Sequence, residues 1–261
     1  MGKNYDNWER LVKAVSRREE DKLLALTHSV STSPSSSSSQ HSSSLSFQFG
    51  HLDPWLVIPD TSRLPMEYSD LSDRNDWKVM LPPGKRQVVW ESSNMSFSLD
   101  RRTGKNCFLL GAMNLYMSSR GFDGRGKFNE HPQSRFSEVV EFEKSQSIYI
   151  EGKIESKLLS SESCYAAYLV FGFAEMYANL NSAVSIVRNF YNVPGIGYPE
   201  EQAKMVKFQE GNERDDGWME IQLGEFYVDA GENGQVQVQL LDTSGYITSG
   251  LILEGIEFRP F

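Results

Sequence analysis

From Val88 onward, apolar and polar residues alternate with the period of two that marks a strand with one buried face and one wet face. Met95, Phe97 and Leu99 alternate with Ser96 and Ser98, and Asp100–Lys105 turns the chain into Cys107–Leu110. Ile148, Ile150 and Ile154 share a face opposite Tyr149, Glu151 and Lys153, and Val236, Val238 and Leu240 alternate with glutamines. Tyr165–Phe173 is apolar on both faces, which places it mid-sheet with cover on both sides. Ala183–Phe190 reads as a further strand, and Phe136–Phe142 as a single helical turn bridging two strands. In the last third, glycines at 217, 224, 231, 234, 245, 250 and 255 fall at strand-length intervals. Roughly nine strands with no intervening helices predict an all-β sandwich rather than an α/β fold.

The first third of the chain follows other rules. Within residues 1–28, positions 7–27 predict an amphipathic helix: Asn7 can cap it, and Trp8, Leu11, Val12 and Val15 form an apolar stripe. Two readings of the helix stand, a cover for the domain or a partner-binding helix built on Trp8, Leu11 and Val15. Residues 29–49 contain twelve serines between Ser29 and Ser46, a composition that predicts a flexible linker and phosphorylation target. Residues 50–87 carry five prolines between 54 and 83 and read as an irregular segment packed onto a domain at 88–261.

Composition narrows the function. A net charge of −9 argues against nucleic acid or anionic lipid as the main partner. No apolar run is long enough to span a bilayer, and Trp8–Leu26 is too interrupted by charge for a signal core. Asp6 sits where a myristoylation motif at Met1-Gly2 needs Ser or Thr. Cys107 and Cys164 lie in apolar runs and are expected to be buried, reduced thiols in a cytosolic setting.

Candidate chemistry is sparse. His28, His41, His51 and His131 have no metal-ligand spacing, and neither a nucleophile elbow nor a phosphate-cradling loop is present, so no cofactor, metal or catalytic residue is assigned. Asp215 and Asp216 read as solvated turn residues, and Trp218 as a packing residue. The expectation is a binding protein, not an enzyme.

Gly217-Trp-Met-Glu-Ile-Gln-Leu-Gly-Glu-Phe226 and Ser249-Gly-Leu-Ile-Leu-Glu-Gly-Ile-Glu-Phe-Arg-Pro260 are similar to the closing strands of the phloem protein 2 lectins of plants, the group that includes the tobacco leaf lectin. Ahead of them, in order, come Leu99–Phe108, Gly111–Leu115, Arg135–Val139, Tyr149–Ile154 and Ser163–Phe171. The resemblance covers residues 88–261 and implies a jelly-roll β-sandwich that binds N-acetylglucosamine oligomers or N-glycan cores. It also implies a cytosolic and nuclear address, roles in stress or defence, and homodimers in some members. Many relatives carry a helical F-box ahead of the domain; its opening pattern is absent here, and the prolines of 50–87 oppose a helical bundle. The lysine run that directs some members to the nucleus is also absent from Pro199–Lys207.

In that family the sugar platform is a tryptophan-rich loop. At the matching place this chain reads Ser118-Ser-Arg-Gly-Phe-Asp-Gly-Arg-Gly-Lys-Phe-Asn-Glu130, without tryptophan. The resemblance therefore points to Phe122 and Phe128 as stacking groups, with Arg120 and Asp123 as polar contacts. Tyr246, in the last hairpin, either adds an aromatic from a neighbouring loop or shields the turn. The alternative is a protein-interaction scaffold on the same fold, its sugar site degenerated.

Overall fold

A computed structural model describes residues 17–18, 21–22, 77–80, 87–90, 94–100, 102–120, 126–189, 202–231, 234–242 and 245–261. They form two antiparallel sheets. The strands are β1 (Trp77–Met80), β2 (Gln87–Trp90), β3 (Met95–Leu99), β4 (Asn106–Gly111), β5 (Tyr116–Arg120), β6 (Lys127–Asn129), β7 (Val139–Phe142) and β8 (Ser147–Glu155). They continue with β9 (Ser163–Ala178), β10 (Ser182–Asn189), β11 (Lys204–Lys207), β12 (Asn212–Glu213), β13 (Met219–Val228), β14 (Gln235–Asp242) and β15 (Ser249–Pro260). The larger sheet runs β1-β2-β3-β4-β15-β9-β13-β12, with β7 also on β15 and β6 on β7. The smaller runs β11-β10-β14-β8-β5.

The alternation read from the sequence assigns the faces correctly. Ile148, Ile150 and Ile154 of β8 and Val236, Val238 and Leu240 of β14 point inward, against Phe108, Leu169, Phe171, Ile256 and Phe258 of the larger sheet. At about 1.5–3 kcal/mol for each buried side chain, this layer supplies the main driving force. Tyr165–Phe173 lies, as expected, in the middle of its sheet, between β15 and β13. Two glycines permit close approach. A Cβ on Gly224 would meet Val187 of the facing sheet at 2.7 Å, and one on Gly255 would meet the Leu110 carbonyl oxygen at 2.0 Å. Gly255 sits at a register shift in β15, between Leu253 and Gly255.

A second, smaller core lies on the outer face of the larger sheet. Leu109, Val139, Val170 and Trp218 pack there with Phe136. Trp218 is 2% exposed and donates Nε1–H to the Gln133 carbonyl at 3.1 Å, which makes it a packing residue as expected.

Several expectations need correction. The helical turn expected over Phe136–Phe142 is a bend at 135–137 followed by β7. Val139 and Phe142 are claimed by opposite faces of the sheet, and pairing with β15 outweighs any local helical preference. The described residues form fifteen strands where roughly nine were expected, because short strands such as β1, β6, β11 and β12 have too few residues to show a period. The larger sheet takes in Trp77–Met80, from the stretch read as irregular, through the β1–β2 pairing. Cys107 is buried as expected, but Cys164 is exposed on the outer face of β9; both are free thiols. Of the N-terminal helix, residues 17–18 and 21–22 are described and helical. Trp8, Leu11 and Val15 lie outside the described residues, as does the serine-rich stretch.

Candidate functional site

The topology carries the end of β5, where the predicted loop begins, and the 245–248 segment to one end of the sandwich. Arg120 closes β5 opposite Ser147, and Ser145 pairs with Thr248, so the two share that rim. Phe122 and Asp123 lie outside the described residues. Phe128 and Tyr246 are both exposed, at 40% and 67%. They do not form one platform. Phe128 pairs with Val140, which pairs with Leu253, whereas Tyr246 lies beyond Thr248. Leu253 to Thr248 alone spans about 17 Å of strand. Around Tyr246, Met176, Tyr177 and Ile247 are also exposed, and Asn179 Nδ2–H donates to the Ile247 carbonyl at 2.8 Å. Tyr177 stacks on Phe173 with ring centroids 4.5 Å apart. Beside Phe128, Asn129 donates to Glu141 at 3.0 Å.

A better-formed arrangement lies on the outer face of the smaller sheet, at the strand that leads into the predicted loop. Because the β8 isoleucines face inward, Tyr149 and Glu151 face outward, and the register sets Tyr116 opposite Glu151 and Gln239 on its other side. Tyr116 is exposed and meets Tyr149 edge-on, with ring centroids 6.1 Å apart. The Tyr149 hydroxyl donates to Glu151 Oε2 at 2.5 Å. Gln239 Nε2–H donates to the Tyr149 oxygen at 2.6 Å and to Glu151 Oε2 at 3.0 Å. Lys153 Nζ completes the set, 2.6 Å from Glu151 Oε1.

Burial alone would raise the Glu151 pKa, but hydrogen bonds from Lys153, Tyr149 and Gln239 outweigh it and hold the carboxyl at about 2. The Tyr149 hydroxyl is pushed up, first by burial and then by its bond to that carboxylate. Glu151 is therefore an ionised acceptor and Tyr149 a neutral phenol. Buried Gln239 Oε1 has no hydrogen-bond partner among the described residues. The arrangement offers aromatic rings fixed beside a carboxylate, an amide and an ammonium group, the chemistry that pairs with a sugar's C–H face and hydroxyls. Sequence reading passed over Tyr116, Tyr149, Glu151 and Gln239. The β8 alternation did carry their signal, by assigning the outward face to Tyr149, Glu151 and Lys153.

The outer face of the larger sheet holds the densest charge. Arg214 NH1 lies 2.7 Å from both Glu220 and Glu257, and its Nε lies 3.2 Å from Asp216. Arg259 pairs with Glu220 at 2.5 Å and Glu257 at 3.0 Å, and its guanidinium sits 3.8 Å from the Tyr168 ring centroid. Arg135 pairs with Asp216, and its backbone N–H donates to Glu254 Oε1 at 2.9 Å. Burial pulls Glu257 upward, but the charges of Arg214 and Arg135 more than offset it and keep the carboxyl below its ordinary range. Glu254 is raised by burial. Asp216, expected in a solvated turn, is instead half-buried between two arginines. Among the described residues, no group of three or more His, Cys, Asp or Glu is placed to hold a metal ion.

Comparison with known proteins places this geometry. Over residues 105–260, from the residue before β4 to the end of β15, the chain matches the family model described as phloem protein 2. It is 30% identical over 257 residues to F-box protein PP2-B5 of Arabidopsis thaliana, covering 92% of this chain and 85% of that protein. It is 31% identical over 207 residues to putative F-box protein PP2-B12 of the same plant, covering 78% and 80%. Among solved structures, that of TmCBM61 in complex with beta-1,4-galactotriose aligns at a TM-score of 0.34 and 10% identity, over 58% of this chain and 91% of that one. With its family match spanning every strand from β4 to β15, the chain belongs to the phloem protein 2 family.

Proposed function

We propose that this protein is a glycan-binding lectin, specific for N-acetylglucosamine oligomers or N-glycan cores, on the jelly-roll connectivity that the family implies. The observation that carries the reading is the Tyr116–Tyr149 pair, set beside Glu151 and Gln239, with Tyr116 on the strand that leads toward the family's sugar loop. The sugar stacks on Tyr116, with Tyr149 and Lys153 at its edge. The protein acts by binding without turnover, in the cytosol and nucleus, and dimerises through a sheet edge. Net charge of −9 supports neutral glycans over nucleic acid or membrane as partners. Titration with chitotriose tests it. Wild type gives saturable binding, Tyr116→Ala weakens it tenfold or more, and Tyr149→Phe, which keeps the ring, loses less. Wild type that is blank across a glycan array ends the proposal.

A second reading has its own support. Met176, Tyr177, Tyr246 and Ile247 form an exposed apolar patch at the rim, the surface a protein partner covers. On this reading the fold is a protein-interaction scaffold, as the F-box names of its relatives invite for the region before the domain. Tyr246→Ala would then abolish partner capture and leave any chitotriose binding intact.

A further inference from the structure

The outer face of the smaller sheet is not open across its whole width. Val184 and Ile186 of β10 are both 0% exposed. They point away from the larger sheet, because their neighbours Ala183, Ser185 and Val187 are the inward set: Ser185 Oγ–H reaches the Leu223 carbonyl of the larger sheet at 2.6 Å. Val184 and Ile186 belong to neither apolar cluster. Their cross-strand partners Leu241, Gln239 and Met205 stand beside them on the same face, not over them. Lateral neighbours leave side-chain tips accessible, so complete burial requires a third layer.

We infer that this layer is the N-terminal amphipathic helix, docked on the β10–β14 half of the face. The anchor is described. Arg18, in helical conformation, donates from Nη2 to the Ala203 carbonyl at 2.9 Å, and Ala203 immediately precedes edge strand β11. Ala203 itself is 4% exposed. Arg18 marks which side of the helix meets the sheet: three, seven and ten residues before it come Val15, Leu11 and Trp8, the apolar stripe itself. Arg17 is exposed, as the side opposite the stripe should be. From Arg18 back to Trp8 the helix rises about 15 Å. That equals about three strand spacings, so from beside β11 the helix crosses β10 and β14, covers Gln239, and ends at β8, one strand short of Tyr116. The stripe is therefore the roof of Val184 and Ile186, and Trp8 faces this protein's own sheet.

A thermal-unfolding cycle in the full-length chain tests the docking. Leu11→Asp detaches the helix and lowers the melting temperature, as does Ile186→Ala; Arg17→Asp, on the exposed side, does not. Once the helix is detached Ile186 is already in water, so adding Ile186→Ala to Leu11→Asp costs little, and the double variant melts at least about 2 °C above the sum of the single losses. If Leu11→Asp yields no folded protein, Val15→Ser serves as the milder detaching change. Strictly additive losses, or no loss at either stripe position, overturn the inference and assign the cover to another segment or to a second copy of the chain.

Discussion

Arg214 is the keystone of the charged outer face, and its replacement by methionine is the sharpest test of how that face is held. The Arg214 side chain is 7% exposed, and its guanidinium bridges Glu220 and Glu257, each at 2.7 Å, with Asp216 at 3.2 Å. Methionine keeps much of the apolar stem but removes the charge, leaving Glu257, 8% exposed, with Arg259 at 3.0 Å as its remaining close cation. Breaking a buried ion pair by deleting one partner costs about 3–5 kcal/mol. Arg259 retains part of the compensation, so about 3 kcal/mol is the appropriate figure. For a chain of this size that corresponds to a fall of about 6–12 °C in melting temperature. The loss must also depend on pH. In the wild type Glu257 sits below its ordinary pKa, so it contributes stability above the unfolded value that disappears as pH falls. Without Arg214, burial dominates and its pKa rises, so the variant is least stable near neutrality and recovers relative to wild type on acidification. Differential scanning calorimetry of both proteins from pH 4.5 to 8 reads this directly. A fall below about 2 °C, or a deficit that stays constant or grows as pH is lowered, would refute the reasoning.

Glu254 should behave in the opposite sense: burial raises its pKa, so its stabilising contribution is present at low pH and lost as pH rises through the folded value. Glu254→Gln keeps an acceptor for the Arg135 backbone N–H, and its stability relative to wild type should increase with pH in chemical-denaturation curves. Native-state alkylation should modify Cys164 alone. Cys107 is buried and its thiol is pushed up to about 12, so it should react only after denaturation, as peptide mass mapping would show. Gly255→Ala should lower the melting temperature by several degrees, because the new methyl would fall 2.0 Å from the Leu110 carbonyl oxygen and the β15–β4 pairing would have to shift.

How much of this was legible in the sequence depended on length and pairing. Long strands declared themselves: the β8 alternation, the glutamine-valine alternation of β14 and the doubly apolar Tyr165–Phe173 each located a strand and its faces. Strands of two to four residues did not, because a period of two cannot be recognised over so few positions, and β12 exists only through its pairing with β13. Cys164 was misassigned because an apolar run gives no information about a face that the fold leaves uncovered. The Arg214 network was hidden for a different reason. Its members are scattered from Arg135 to Arg259, and only the sheet order brings them together. The Tyr116–Tyr149 arrangement was half visible, in that the outward face of β8 was known but its neighbour across the sheet was not. In the predicted loop, the missing tryptophans were legible and remain the reason that a site built on tyrosine matters.

Strand β15 lies at the centre of the larger sheet, yet it follows every other strand in chain order, and it joins β4, β7 and β9. During translation those three emerge well before the strand that unites them. The nascent chain must therefore wait with their edges bare, a window in which chaperones would be needed and premature termination would leave two half-sheets with no seam between them.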